Sequence, residues 1–579
     1  MTENYNHIEP PEDDPTYHFT VDMADKASKW LDDHQAFSPD KPFFMYWAPG
    51  GVHGPHHVFP EWADKYKGKF DTGWDAYRER VHKRQIEMGI IPKGTKLTKR
   101  DTTLEGWDNI PETQRAFQTR LMEIYAGFVE HTDAQVGRLI NHLEKRGLRE
   151  NTIVLYIFGD NGSSSEGQRG SISELLAQNN IPNTVDQQLK ALNEMGGLQV
   201  LGSPKTDNMY HAGWAWAGST PFKGTKLLGS YFGGTRNPMV ISWPKKIKPD
   251  KSMRNQFHHV IDIAPTIYEL LKIPHPAVVH GNKQIPIDGV SLAYTFDDAS
   301  TPTKKKIQFF DNNGSRAIYK DGWMACAFGP FIPWNTPASI SHIQNWDSAT
   351  DQWELYNLND DFSQADDLSK THPDKLNQLK NEFLELAKKN QDFPIGAGNW
   401  LRLYPQDRVT TPYSNWNFSQ NTRRMPEFAA PGVGRQSTNV TIEVDLKDQA
   451  NGVLYAVGGA SGGLTVYLEQ GHLMYEYNMM IIEKYKARSD KPLAAGKRKI
   501  EIQTTINGPG KSGTAKLFVD GENVGEAKLK RTVPAAFTAT ETFDVGIDLG
   551  SPVSSKYAER RPFEFDGTIH RLNVKLKPR

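Results

Sequence analysis

The sequence is poor in cysteine and has no excess of charge of either sign. Its 579 residues include one cysteine, Cys326, so an intramolecular disulfide and a cysteine-rich metal site are excluded. Lysine and arginine number 68 against 69 aspartates and glutamates, which gives a formal net charge of −1. This balance argues against a nucleic acid or an anionic membrane surface as the partner.

Long apolar runs are absent as well. No stretch of about 18 apolar residues occurs, so the sequence predicts no transmembrane helix. The first residues, MTENY, lead into the acidic Glu12-Asp13-Asp14 and lack the basic and apolar regions of a signal peptide. We therefore expect a soluble protein without membrane insertion, with the compartment left open between cytoplasm and periplasm.

What the sequence does contain is a short apolar run that ends in polar residues. Residues 153–158 (IVLYIF) are β-branched and aromatic, which predicts a strand buried on both faces of a parallel sheet. Gly-Asp-Asn-Gly follows at 159–162. Ligands of open α/β sheets bind at the carboxyl ends of strands, and the oxygens of Asp160 and Asn161 suit a hard cation such as Ca²⁺ or Mg²⁺. These residues are equally typical of a plain turn, so both interpretations stay open.

A second apolar run, residues 43–47 (FFMYW), predicts another buried strand. It continues into a loop rich in glycine and proline that contains His53, His56 and His57. If the two strands are parallel, this loop lies at the same sheet edge as Asp160. A histidine there can donate to an anionic oxygen or protonate a leaving group near neutral pH. The alternative is a histidine-rich surface loop.

The remaining pattern predicts an α/β region followed by an all-β module. The clearest helix is expected over residues 119–146, directly before the strand at 153–158. Strands of a small sheet are expected within 308–358, followed by a helix over 373–390. Within 435–579, short strands of alternating polar and apolar residues with glycine-rich turns predict a β-sandwich.

Several stretches together resemble the type I sulfatases of the alkaline phosphatase superfamily. They follow the family's order and are residues 43–55 (FFMYWAPGGVHGP), 125–137 (YAGFVEHTDAQVG), 158–162 (FGDNG), 213–243 and 353–368 (WELYNLNDDFSQADDL). The resemblance implies a mixed sheet flanked by helices, as in alkaline phosphatase, with a small C-terminal subdomain sheet and an appended sandwich similar to laminin-G or concanavalin modules. The expected division is 1–300 for the catalytic domain, 301–392 for the subdomain, 393–434 for a linker or wrapping segment, and 435–579 for the sandwich.

The resemblance also implies roles for individual residues. Asp160 and Asn161 match the second pair of calcium ligands, with Mg²⁺ as the alternative ion. His53 matches the histidine that contacts the sulfate and protonates the leaving alcohol. Lys226, in TPFKGTK, matches the lysine that binds the sulfate oxygens and is preferred to Lys223. A cation, a lysine and a histidine can together hold a sulfuryl group and stabilise charge on the departing oxygen.

The nucleophile motif of this family is absent from the sequence. Type I sulfatases use Cys-x-Pro-x-Arg or Ser-x-Pro-x-Arg, whose first residue becomes formylglycine, and an Asp-Asp pair that completes the metal site. Neither precedes His53, and Cys326, in ACAFG, fits a buried apolar residue instead. Three explanations stay open: a fragment of an active enzyme, which we favour, one half of a split enzyme, or a catalytically inactive relative.

The leading functional hypothesis is a Ca²⁺-assisted sulfuric ester hydrolase, arylsulfatase-like, that acts on an aryl or carbohydrate sulfate. Its expected partners are that ester or glycan, and a second copy of the chain or a complementing N-terminal chain. A phosphonate monoester or phosphodiester hydrolase is the alternative within the superfamily. The third hypothesis is an inactive glycan-binding relative whose sandwich tyrosines stack on sugars, namely Tyr455, Tyr467, Tyr475 and Tyr477. Packing within the sheet is the competing interpretation of these tyrosines, and the favoured one.

Overall fold

The computed structural model describes residues 2–8, 10–11, 14–399 and 413–577. Its α-helices are α1 Phe19–Phe37, α2 Pro60–Ala63, α3 Gly73–Glu87, α4 Glu112–Lys145, α5 Leu175–Gln178, α6 Val185–Met195, α7 Ala212–Gly218, α8 Phe232–Thr235, α9 Ile263–Leu271, α10 Thr336–Gln344 and α11 Pro373–Lys389. Within the described ranges, no helix is both long and apolar enough to cross a bilayer.

The strands fall into two groups, before and after residue 400. The first group is β1 Thr2–Glu3, β2 Asn6–His7, β3 Val154–Ile157, β4 Arg169–Ser171, β5 Met209–His211, β6 Met239–Ser242, β7 Val278–Val279, β8 Asn282–Lys283, β9 Ile307–Asn312, β10 Ser315–Lys320, β11 Trp323–Ala327 and β12 Trp353–Asn357. The second group is β13 Asn415–Phe418, β14 Met425–Pro426, β15 Thr438–Leu446, β16 Gly452–Gly459, β17 Gly462–Glu469, β18 His472–Met479, β19 Glu483–Arg488, β20 Gly496–Ile506, β21 Gly513–Val519, β22 Glu522–Leu529, β23 Thr542–Val545 and β24 Thr568–Leu576.

The predicted long helix is confirmed as α4, which begins seven residues earlier than its periodic pattern. Phe117, Leu121 and Ile124 recur at helical spacing and are completely buried, which fixes the face that α4 turns to the core. Helices α1 and α2 pack against α4. Gly127 permits the close approach of α2, because a Cβ there would lie 2.7 Å from the backbone nitrogen of Ala63.

The α/β class is confirmed, but two predictions about the central sheet are wrong. Residues 43–47 form no strand, and Phe44 and Tyr46 are 75% and 84% exposed. Strand β3 pairs with β6 alone among the described strands, and it does so antiparallel. It is also not buried on both faces, since Ile157 is 41% exposed. An apolar segment is stabilised by burial, but its composition does not show which other elements cover it.

The small C-terminal sheet is confirmed, with the strand order β12-β11-β10-β9 and antiparallel pairing throughout. Helix α11 covers one face, where Leu379 and Phe383 pack with Ile318 of β10 and Leu355 of β12. Cys326 of β11 is completely buried, as its apolar neighbours predict.

The β-sandwich is confirmed as two six-stranded sheets. Their strand orders are β13-β24-β15-β20-β21-β22 and β14-β23-β16-β17-β18-β19. Strands β13 and β14 lie within the segment 393–434, whose residues 400–412 are outside the described part of the chain. The four tyrosines proposed for sugar stacking are each at most 1% exposed, so the stacking hypothesis is wrong for them. Tyr455, Tyr475 and Tyr477 belong to the main buried cluster, as expected for inward-facing residues of a sandwich, whereas Tyr467 is buried in a separate cluster with Tyr557 and Phe563.

The sandwich packs against the helical part of the chain through buried polar contacts. The side chain of Asn179, at the end of α5, donates to Ala536 O at 2.8 Å and accepts from the backbone nitrogens of Ala535 and Ala536 at 3.1 and 3.2 Å. Ser173 donates to Ser461 O at 3.0 Å. These bonds satisfy backbone groups that both surfaces bury, and so they fix the register between the two parts.

Candidate active site

Lys226 and His53 meet although 173 residues separate them in the chain. Lys226 Nζ lies 2.9 Å from His53 Nε2 and donates to Glu166 Oε2 at 3.3 Å. His53 Nδ1 lies 2.8 Å from the carbonyl oxygen of Gly54. A carbonyl oxygen only accepts, so Nδ1 carries the hydrogen and Nε2 presents a lone pair to the ammonium group. The pair is therefore a charged lysine that donates to a neutral imidazole.

Two loops bring these side chains together. His53 lies in a turn after residues 43–47, where its backbone nitrogen donates to Gly50 O at 2.9 Å. The backbone nitrogen of Lys226 donates to Ser163 O at 2.9 Å, which joins the lysine loop to the segment after β3. The next residue, Leu227, has a φ of +81°, and Asn312 Nδ2 donates to its carbonyl oxygen at 2.9 Å. This bond holds a backbone conformation that a residue with a Cβ rarely adopts.

Glu166 is the third member of the cluster, and no pattern in the sequence predicts it. Its Oε2 accepts from Ser164 Oγ at 2.7 Å and lies 3.7 Å from His53 Nε2. Burial alone raises the pKa of Glu166, but the charge of Lys226 and these hydrogen bonds outweigh it and hold the pKa below the ordinary value. Glu166 lies in the irregular insertion 163–209, which has no periodicity from which a contact can be inferred. The only signal is its position six residues after Asp160.

Asp160 and Asn161 follow β3 directly and are exposed, as expected for residues at a strand end. The turn that carries them is held by a bond from the Gly162 nitrogen to Asn237 Oδ1 at 3.2 Å. No hydrogen bond or ion pair engages the Asp160 carboxylate within the described residues. The donor types fit a hard cation, but two side chains are too few for the six to eight oxygens that Ca²⁺ takes. Among the described residues, no group of three or more His, Cys, Asp or Glu side chains is placed to hold a metal.

Lys223 lies in a different cluster from Lys226. Its Nζ donates to Glu354 Oε2 at 2.9 Å and to Tyr356 Oη at 2.6 Å, and it sits 4.2 Å from the ring centroid of Tyr231. Tyr231 itself is buried and donates to Glu354 Oε1 at 3.2 Å. These contacts join the lysine loop to the small sheet, so Lys223 and Tyr231 have structural partners here.

The other two histidines of the loop have structural partners. His56 is buried, and its burial, followed by the charges of His53 and His57, lowers its pKa to about 3. Its ring packs against Tyr125 and Tyr210 at centroid distances of 5.0 and 4.9 Å. His57 donates through Nε2 to Thr206 O at 2.7 Å. His53, half exposed, is thus the histidine of this loop that is open to a ligand.

Comparisons with known proteins find sulfatases among the proteins similar to this chain. Residues 1–273 match the sulfatase family model. An uncharacterized sulfatase of Schizosaccharomyces pombe is 28% identical over 361 residues, which cover 62% of this chain and 60% of the relative. The arylsulfatase of Klebsiella aerogenes is 25% identical over 272 residues, 47% of this chain and 54% of the relative.

Solved structures are also similar to this chain. One from Bacteroides thetaiotaomicron, whose name refers to the metabolism of multiple glycosaminoglycans, has a TM-score of 0.37 at 20% identity and covers 64% of this chain and 54% of that one.

The fold is an α/β region followed by a β-sandwich, and residues 1–273 of the α/β region match the sulfatase family. The two curated relatives named above are also sulfatases. The chain spans 60% and 54% of their lengths.

Proposed function

We propose that this chain carries the sulfate-binding and leaving-group side of a sulfuric ester hydrolase site of the arylsulfatase type. The observation that carries the proposal is the 2.9 Å contact between Lys226 Nζ and His53 Nε2, with the Glu166 carboxylate beside both. Lys226 is 13% exposed and His53 52% exposed, so the cluster is partly screened from water yet reachable by a ligand. The substrate class is an aryl or carbohydrate sulfate.

Each side chain has a chemical role in this proposal. A bound sulfate oxygen replaces His53 as the acceptor for the Lys226 ammonium group, because a charged acceptor makes the stronger hydrogen bond. His53 Nε2 then faces the ester oxygen and, once protonated, donates its proton to that oxygen as the S–O bond breaks. Glu166 keeps Lys226 in place and stabilises the imidazolium at 3.7 Å.

Asp160 and Asn161 are the residues that would hold Ca²⁺. A bound cation of this kind supplies Lewis-acid stabilisation of the sulfuryl oxygens. Since two side chains do not fill its coordination shell, we propose that further ligands come from residues outside this sequence. The same holds for the attacking group, because neither form of the formylglycine motif occurs among the 579 residues.

An exposed apolar surface supports the proposal that another polypeptide segment completes the site. Phe44, Tyr46 and Val240 are 75%, 84% and 61% exposed, and strands β3 and β6 each have one edge without a partner strand in the described part of the chain. Open edges and apolar patches of this kind pair readily with further strands. The occupant we propose is the segment that carries the nucleophile, and self-association of two copies is the competing occupant.

Binding of 4-nitrophenyl sulfate to the chain alone tests the sulfate-binding side of the proposal without requiring turnover. Loss of the charged donor in Lys226→Ala is expected to weaken binding by about tenfold or more. Lys29→Ala is the matched control, since Lys29 is an exposed lysine that pairs with Asp33. Equal affinity of Lys226→Ala and the unsubstituted chain would refute the role of Lys226.

A turnover assay tests the proposed roles of His53 and of the missing nucleophile. The chain is mixed with a sulfatase segment that carries formylglycine, and hydrolysis of the aryl sulfate is compared with that of an aryl phosphonate monoester. Sulfate hydrolysis that needs both polypeptides and His53 supports the proposal. Preferential phosphonate hydrolysis would favour the alternative function instead.

A further inference from the structure

A second candidate site lies at the small C-terminal sheet, in a cleft of about 280 Å³. Its walls are the end of β9 with the turn that follows it, which contribute Asp311 and Asn313, and the segment after α11, which contributes Asp392 and Gly396. The cleft shares no residue with the cluster of His53, Lys226 and Glu166.

Three buried oxygen atoms in or next to this cleft have no hydrogen-bond donor among the described residues. They are Asp311 Oδ2 and Asp392 Oδ2 of the cleft lining and Asn399 Oδ1 beside it. Asn399 is 3% exposed, and its Nδ2 donates to the carbonyl oxygen of the lining residue Asn313 at 2.7 Å, which places the carboxamide next to the cleft wall. Because a buried acceptor without a donor is costly, three together favour a ligand that binds oxygen.

The charge at the cleft is also unbalanced. Burial, the larger cause, and the charge of Asp392, the second cause, raise the pKa of Asp311 to about 6. The two carboxylates therefore repel one another across the cleft. The positive charge of Arg316 lowers the pKa of both carboxyls, but its guanidinium bonds to other groups: it donates to Asp351 Oδ2 at 2.6 Å, to Gly314 O at 2.9 Å and to Ser348 O at 2.8 Å. Arg316 therefore offsets this repulsion only in part.

We propose that this cleft binds a hard divalent cation, Ca²⁺ in first place, through Asp311, Asp392 and Asn399. Carboxylate and amide oxygens are the ligands that Ca²⁺ prefers, and the volume of the cleft leaves room for water molecules to complete the shell. The proposed ligands are two carboxylates and one amide. This set differs from a group of three or more His, Cys, Asp or Glu side chains, and no such group occurs among the described residues. The inference is independent of the proposed sulfatase activity.

A cation here would act on the lysine loop through the β9–β10 turn. Asn312, the last residue of β9 and also part of the cleft lining, donates to the carbonyl oxygen of Leu227, the neighbour of Lys226. Tying Asp311 to Asp392 would restrict this turn relative to α11. The cleft is thus a structural cation site that supports the backbone next to Lys226.

Calorimetric titration of the full chain with Ca²⁺ tests the proposal, after removal of bound metal. All variants carry Asp160→Ala, so that binding at the sulfatase site does not contribute. The expected Kd is about 10⁻⁵ to 10⁻³ M, and Asp311→Asn and Asp392→Asn each weaken binding by about tenfold or more. Asp321→Asn, an exposed aspartate in another turn of the same sheet, leaves binding unchanged.

Terbium luminescence provides a second measurement that does not depend on the folding of the aspartate variants. The ring of Trp346 packs against Gly314 and Gly396 at the cleft, so Tb³⁺ bound there is expected to emit on tryptophan excitation, and Ca²⁺ to displace it. Trp346→Phe is expected to lose most of that emission. Absence of Ca²⁺ binding in the Asp160→Ala chain, or binding that survives both aspartate substitutions, would overturn the proposal in favour of two carboxyls that share a proton.

Discussion

Lys226 Nζ donates to the neutral imidazole of His53 across 2.9 Å, and Glu166 accepts from the same ammonium group at 3.3 Å. One cation thus links a loop before α2 with the irregular segment after β3. The arrangement keeps a proton donor and a proton acceptor in contact before any ligand arrives.

The carboxylate of Glu166 is expected to stabilise the folded chain at neutral pH. Its pKa is lower in the folded state than the ordinary value of 4.5, so its contribution is present above that value and is lost as the pH falls through the folded pKa. Glu166→Gln should therefore unfold at lower temperature than the unsubstituted chain at pH 7, by about 1 kcal/mol in stability. Thermal unfolding followed by circular dichroism at pH 7 and pH 3 checks this, and a difference that persists at pH 3 would contradict it.

Glu174 should show the opposite pH dependence. Burial first, then the charges of Asp207 and Glu166, raises its pKa to about 7. The folded state therefore holds a proton that the unfolded state releases between about pH 4.5 and 7, and stability falls as the pH rises through that window. Glu174→Gln removes the ionisable group and is expected to stabilise the chain at pH 8 by about 1–3 kcal/mol.

The control for this prediction is the same variant at pH 4.5. There Glu174 is protonated in the folded chain, so the variant and the unsubstituted chain should have similar unfolding temperatures. A stabilisation of equal size at both pH values would mean that the effect does not come from the charge of Glu174.

Removal of the Asn179 side chain should loosen the sandwich from the helical part. Asn179→Ala deletes the three hydrogen bonds that reach the sandwich and leaves the backbone groups of Ala535 and Ala536 buried without partners, at a cost of about 2–4 kcal/mol. Faster proteolysis between the two parts and a lower unfolding temperature are expected. Asn523→Ala, at the exposed start of β22, is the matched control and should change neither quantity, because its side chain accepts a local bond from the Gly525 nitrogen.

The exposed apolar surface should make the isolated chain associate. Val240→Lys places a charge on β6, and Phe44→Ser removes an exposed ring, so both are expected to shift the chain toward the monomer. Light scattering across a range of protein concentrations measures the mass. A chain that is already monomeric at high concentration would show that this surface does not drive self-association.

Periodic segments of this chain could be predicted from sequence and non-periodic ones could not. Helix α4 and strand β15 repeat their buried residues at helical and strand spacing, so each pattern carries its own evidence. Residues 43–47 looked like a strand because they are apolar, yet a strand also needs neighbours that composition does not reveal. The contact of His53 with Lys226 followed from the family resemblance, whereas Glu166 had no pattern and became visible only in three dimensions.

The contact of Asn179 with the sandwich has a consequence for how such chains diversify. On the sandwich its carboxamide binds the peptide groups of residues 535 and 536, and those groups are the same whatever side chains the sandwich presents there. Surface side chains of the sandwich can therefore change during evolution without loss of this contact with Asn179. A different β-module that offers one carbonyl and two amide nitrogens in the same order could be exchanged for it.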